Sequence, residues 1–318
     1  GLDPSFGDGA GDLLLGGSGW ARGFAVDDSG QALLGVPGYP RSRVLRLNAD
    51  NGAPVRSFGA DGAILLPKKI WIRSLGFAKD GGAIVLGARD VSGPAEPGVL
   101  LSFRPGGKRD RTFGENGRLE LRLPGGEEVK AKALLASSRG RILVAGRSGR
   151  RIAVASLLPN GKPDRDFSAD GWKLLRAGGT VQSIALRRVG AHIYLAAAVD
   201  DEERERVVLV RFRKDGRLDR SFGSRGRRTV SLSRSGQPKA ILPTPNGVLV
   251  VLNEGPKPLL FLSRNGQLHR RPVASRPQHV ENVRATITGG QLVLGWNKFS
   301  REIQRHVHYL AKRPLSDR

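Results

Sequence analysis

The chain has no cysteine, no methionine and few aromatic residues, which make up 6% of it. Without cysteine there is neither a disulfide framework nor a thiolate metal site. Without methionine, even at its first position, the sequence is expected to start after processing or trimming. A removed secretory leader is one explanation and an engineered trim the other. The chain also lacks a run of the ~18 apolar residues that a membrane helix needs, so no helical span is expected. Acidic residues are scarce: 29 Asp plus Glu stand against 53 Lys plus Arg, for a net charge of +24. Such a surface attracts polyanions and repels cations. Two explanations need no ligand: a GC-rich genome favouring Arg codons, and a hot habitat disfavouring Met and Cys.

Glycine is plentiful at 44 and proline numbers 19, both spread evenly through 318 residues of which 39% are apolar. That mixture suits many short strands joined by tight turns. The turns recur. Leu2-Asp3-Pro4-Ser5-Phe6-Gly7 returns as Val55-Arg56-Ser57-Phe58-Gly59, Asp110-Arg111-Thr112-Phe113-Gly114, Asp164-Arg165-Asp166-Phe167-Ser168 and Asp219-Arg220-Ser221-Phe222-Gly223. A decayed copy, Leu268-His269-Arg270-Arg271-Pro272, puts Pro272 in the Phe slot, and successive slots lie 52, 55, 54, 55 and 50 residues apart. A fixed period of this length marks a repeat architecture.

Each unit offers four short strands. A short one follows the Phe-Gly turn, as in Ile64-Leu65-Leu66 or Leu119-Glu120-Leu121. A second, such as Ile72 to Phe77 or Val181 to Leu186, ends in a glycine turn. Asp80-Gly81 and Asn246-Gly247 are strong hairpin signals, because Gly and Asn adopt positive φ at little cost. The third is a compact apolar run such as Ile142 to Ala145, and the fourth resembles Val99 to Phe103 or Val208 to Phe212. A solenoid coil uses fewer strands, and a pair of sandwiches would not repeat its turn chemistry six times. The expectation is all-β: a six-bladed β-propeller with four antiparallel strands per blade, as a single domain over 1–318. Its blades are expected near 10–48, 62–104, 117–158, 171–214, 226–264 and 272–313. Leu2 to Phe6 is expected to dock on the sixth blade as the other linkers dock on theirs. The recurring Phe is expected to plug the seam between neighbouring blades.

These residues resemble the delta-60 repeat family, whose units carry a Leu-Asp-x-x-Phe-Gly-x-x-Gly linker and an Asp-Gly turn before an Ile-x-Val-x-Gly strand. The resemblance covers the whole chain and is weakest in the sixth unit. It implies a β-propeller of the kind common in secreted bacterial proteins and lends no catalytic residues. The departures are Ala196 and Asn253, where other units have Gly35, Gly87, Gly146 and Gly295, and the lost Phe of unit six.

Function is expected on the face whose loops vary, since loop diversity on a uniform scaffold builds binding surfaces. Loops there bring up Lys68, Lys69, Arg234, Arg276 and His279. Around a channel mouth these could hold phosphate, sulfate or carboxylate by charge-assisted hydrogen bonds. Trp20 and Trp71, beside the same loops, could stack on a sugar or base, or simply pack within blades. No Gly-x-Ser-x-Gly elbow, Walker loop, His-Glu-x-x-His or Ser-x-Asp-x-Gly box occurs. His306-x-His308 is a weak metal candidate with no carboxylate beside it in the sequence. Neither catalytic residues, metal nor cofactor is expected. The first reading is a non-enzymatic, secreted or cell-surface scaffold that binds an anionic polysaccharide, another polyanion (nucleic acid included) or a protein partner. A hydrolase or lyase of acidic glycans, and a structural module of a larger surface assembly, are the alternatives.

Overall fold

The structure, a computed structural model, describes residues 23–27, 29–38, 40–48, 50–89, 97–137, 140–201, 204–232, 236–253 and 259–269, with the backbone of 281–288, 291–300 and 305–314. Among the described residues every regular element is a strand. None is a helix long and apolar enough to cross a membrane. The chain forms two compact units, Gly1–Ser148 with Ala153–Leu174, and Gly149–Ile152 with Leu175–Arg318.

The first sheet orders β1 (Phe24–Val26), β2 (Gln31–Val36), β3 (Arg43–Asn48) and β4 (Ala63–Leu65). The second holds β5 (Ile70–Phe77), β6 (Ala83–Arg89), β7 (Gly98–Phe103) and β8 (Arg118–Glu120). The third holds β9 (Lys130–Ala136), β10 (Ile142–Ser148), β11 (Arg151–Leu157) and β12 (Trp172–Arg176). In the fourth lie β13 (Thr180–Val189), β14 (His192–Asp200), β15 (Glu205–Arg213) and β16 (Arg227–Ser231). The fifth comprises β17 (Pro238–Thr244), β18 (Gly247–Leu252), β19 (Leu259–Ser263) and β20 (Leu268–His269). A sixth sheet has three described strands, β21 (Glu281–Thr288), β22 (Gln291–Ser300) and β23 (Arg305–Pro314). Where six four-stranded sheets were expected, five occur among the described residues.

The blade boundaries also need correction. The short strand after the Phe-Gly turn does not open the next sheet; it closes the one before. Leu45 pairs with Ala63, Leu101 with Arg118, and Val210 with Arg227. The reason is local. In the second, third and fourth sheets a bridge across the linker, Phe103 to Arg109, Leu157 to Pro163 and Phe212 to Leu218, folds the chain straight back along the strand it has just left. In the fifth sheet the fourth strand is this linker segment itself, with Leu262 opposite Leu268.

The linker phenylalanines are where packing demanded them. Phe58, Phe113, Phe167 and Phe222 are at most 1% exposed. Phe113 shares one core with Ile84 and Leu100 of the second sheet and Ile142 and Ala153 of the third. Phe222 likewise joins Leu209 to Ile241 and Val250. The glycine after the aromatic is required. Gly59 has φ 67°, and a Cβ there would lie 2.0 Å from the carbonyl oxygen of Ala63.

Candidate functional site

The first strand of the second, third, fourth and fifth sheets carries a β-bulge. Between Ile72 and Ser74 the register skips Arg73, and between Ala131 and Ala133 it skips Lys132. The fourth and fifth sheets skip Gln182 and Lys239 in the same way. A bulge leaves one residue out of the ladder and re-aims its side chain. All four bulged residues are polar, and three are cations.

In the first unit these side chains gather charge. Lys132 is half-buried on β9. Burial, with Arg73, Arg147 and Lys130 beside it, pushes its ammonium down to about 8. No carboxylate among the described residues pairs with Lys132. Upstream on the same strand as Arg73, Trp71 is half-buried opposite Ala88. Lys68 and Lys69 form the exposed turn that enters this strand, with Lys69 at φ 62° and its amide 3.3 Å from the Pro40 carbonyl. The structure therefore strings Lys68, Lys69 and Trp71 along the approach to Arg73. Trp20, Arg234, Arg276 and His279 lie outside the described residues. His306 and His308 fall on β23, opposite Phe299 and Asn297.

A second feature sits on the face whose turns are uniform. A cleft of about 340 Å³, lined by Ile84, Ser102, Asp110, Thr112, Ala136 and Pro159 among others, opens between the second and third sheets. Ligand clefts begin at roughly this size, ~300 Å³. Its origin emerges from comparing repeats. The linker residue three before each Phe donates its amide to the third strand of its own sheet. Val55 bonds to the carbonyl of Arg46, Asp110 to Ser102, Asp164 to Ser156 and Asp219 to Arg211, all at 2.9–3.0 Å. Arg46, Ser102, Ser156 and Arg211 are thus equivalent positions.

Where the position is Arg, the guanidinium fills the seam. Arg211 is buried and lies 2.8 Å from the Asp219 carboxylate. It donates to Ser221 Oγ at 2.6 Å, to Tyr194 Oη at 3.3 Å and to the Arg264 carbonyl. It also covers the rings of Phe222 and Tyr194, 5.0 and 5.8 Å from their centres. Arg46 does the same over Phe58 and Phe77 and donates to Gln31 Oε1 and the Pro105 carbonyl. Ser102 is too short to reach any of this, so the seam stays open.

The linker aspartates show the same contrast. Asp219 also lies 2.9 Å from His192 Nε2, and Asp164 lies 3.1 Å from Arg141 Nε. By strand register both correspond to Gly82, where a Cβ would stand 2.0 Å from the Phe103 carbonyl oxygen. Asp110 therefore has neither inner cation. Its Oδ1 accepts from Thr112 Oγ1 at 2.7 Å and the Thr112 amide at 3.1 Å, and its Oδ2 lies 3.5 Å from Ser102 Oγ. Exposed Arg104 stands 3.7 Å away. Burial pushes this carboxyl up, but the Thr112 bonds, Arg104 and Ser102 outweigh it and hold it below its ordinary value. A second hollow, beside Gln182 and Gln237, measures about 10 Å³ and has room for one water at most.

No family model and no curated protein sequence matches the chain. The similarity is of fold. A protein from Lactobacillus plantarum is 10% identical with TM-score 0.51, covering 95% of this chain and 87% of that one. The AfRom2 CNH domain is 12% identical with TM-score 0.51, covering 93% and 81%. The Dos1 propeller is 8% identical with TM-score 0.50, covering 86% and 64%. Repeated four-stranded antiparallel sheets and neighbours of this kind define an all-β, propeller-like class.

Proposed function

We propose that this chain is a non-enzymatic binding scaffold for anionic polymers, working outside the cell, and that the cations around Lys132 are its contact site. The observation that carries the reading is Lys132 itself. A half-buried ammonium among three other cations, with no carboxylate paired to it among the described residues, is costly in the free protein. An oxyanion supplied from outside would remove that cost. The net charge of +24 supplies long-range attraction, and Lys68 and Lys69, in the turn entering β5, with Trp71 on β5, lie along the approach to Arg73. A sulfated polysaccharide fits this chemistry, and a nucleic-acid backbone presents similar charges.

The test is heparin binding by calorimetry across a salt series, with double-stranded DNA in parallel. Counterion release alone gives a loss that follows the number of charges neutralised. Lys132→Met should raise the thermal midpoint of the free protein while weakening heparin binding more than Lys108→Met, a change at an exposed lysine away from the cluster. Equal effects of the two substitutions would reject the site and leave only diffuse attraction.

We also infer that the scaffold is one six-bladed propeller related to delta-60 repeats, with the three-stranded sheet as its sixth blade. Six linker motifs at 50–55-residue steps support this reading. A crystal structure with five sheets about one axis would overturn it.

A further inference from the structure

We propose that the cleft between the second and third sheets is a receptor for the guanidinium of an arginine side chain presented by another molecule. The proposal is independent of the polyanion reading and concerns different residues. The chain contains its own template for the complex. At Arg211 a guanidinium is gripped by a linker carboxylate, a linker hydroxyl, the carbonyl of the next sheet's turn and an aromatic ring. In the second repeat Asp110 stands for Asp219, Thr112 for Ser221 and Pro159 for Arg264, all three lining the cleft, with the buried Phe113 for Phe222, while Ile84 replaces Tyr194. The occupant differs as well, because Ser102 stands where Arg211 stands and Gly82 where His192 stands. The result is a cavity with a carboxylate at its wall whose inner cation positions are both vacated.

The geometry selects arginine over lysine. A planar fork can meet a carboxylate, a hydroxyl and a carbonyl at once, whereas an ammonium is a compact point charge that prefers its hydration shell. The overall positive charge opposes any cation at long range, but charges beyond ~8–10 Å are screened at physiological salt. Inside the cleft Asp110 and Asp80 oppose Lys79 and the exposed Arg104. A stretched arginine side chain is long enough to pass between these groups, as Arg46 and Arg211 do in their own seams.

The experiment titrates N-acetyl-arginine amide, its lysine counterpart and methylguanidinium into the intact protein, read by calorimetry and by amide shifts at Thr112 and Phe113. The arginine derivative should bind roughly tenfold or more tightly than the lysine one. Methylguanidinium should compete for the same shifts, which separates capture of the bare group from capture of a peptide-borne residue. Asp110→Asn should weaken binding by at least about tenfold. Ser102→Arg should abolish binding by filling the cleft from within, and should melt no lower than wild type. Equal affinity for lysine, no binding by wild type, or full binding by a normally melting Ser102→Arg protein would each overturn the proposal. Should Ser102→Arg melt low, Asp110→Asn decides, since unchanged affinity there is also fatal.

Discussion

Replacing Arg211 by serine converts the fourth repeat to the solution found in the second, and its cost follows from the groups left behind. Arg211 and Asp219 are each about 5% exposed or less, so the ion pair is screened little by solvent. Removing one partner of a buried pair costs ~3–5 kcal/mol, because the other charge stays buried. Asp219 keeps His192 and two bonds from Ser221. That compensation places the expected loss near the lower end, about 3 kcal/mol. With a urea dependence of ~1–3 kcal/mol per molar, the transition of the second unit should move down by about 1 M or more. The assay is urea unfolding followed by hydrogen exchange at Leu209 and Val210, which reports the fourth sheet without assuming one cooperative transition for the whole chain. Arg104→Ser is the control. Its 3.7 Å pair with Asp110 is largely exposed on the Arg side, so its effect should stay within ~0.5 kcal/mol. A loss below ~1 kcal/mol for Arg211→Ser would mean that the guanidinium decorates the seam without filling it, and Arg211 would then be no template for a guanidinium in the cleft.

Other expectations follow from the same geometry. Phe113→Ala empties the seam between the second and third sheets and should cost about 3–5 kcal/mol, measured as loss of exchange protection at Leu100 and Ile142. Gly223→Ala puts a methyl about 2.1 Å from the Arg227 carbonyl oxygen at φ 56°, so it should lower the thermal midpoint more than Gly190→Ala, where a Cβ meets nothing within 4 Å. Acid should destabilise the fold through Asp110 and Asp219. Their carboxyls are lower in the folded state than the unfolded value near 3.9, so the contribution is complete above that pH and is lost as pH falls toward the folded values. Asp110→Asn should flatten the fall in urea midpoint below about pH 4. Lys132 acts in the same sense at higher pH: with its ammonium at about 8, stability should rise between there and roughly pH 10.4, where the unfolded chain still holds the proton. Lys132→Met should remove that rise.

Repeat length, strand type and the buried Phe were legible because each depends on local chemistry: Gly after Phe for the turn, alternating apolar residues for the strand. Sheet membership was not. Leu119 and its neighbours carry no mark that says whether they pair with Leu100 before them or with the strand after them; the linker bridge decides it. The cation cluster was missed because a bulge leaves its residue, such as Lys132, looking like any polar position in an alternating strand. Gly87 and Gly146 were the available clue, since a glycine inside a strand often marks a bulge or close backbone approach. A Cβ on Gly146 would stand 2.5 Å from the Lys130 carbonyl oxygen. The cleft was missed for a different reason. It depends on what Ser102 and Gly82 lack relative to Arg211 and His192, and that contrast appears only once register aligns the repeats. The cleft lies among the uniform turns, whereas sequence diversity is concentrated in the loops of the other face.

Because the short strand after each aromatic linker belongs to the sheet already built, the period in the sequence and the period in space are out of step. A copy excised at the Phe-Gly boundary would begin with a strand owned by its predecessor and end without its own. Gene duplication in that frame therefore yields segments that must borrow an edge from a neighbour. A self-sufficient excision would instead run from Phe24 through Leu65, cutting in the connection that leads to Ile70.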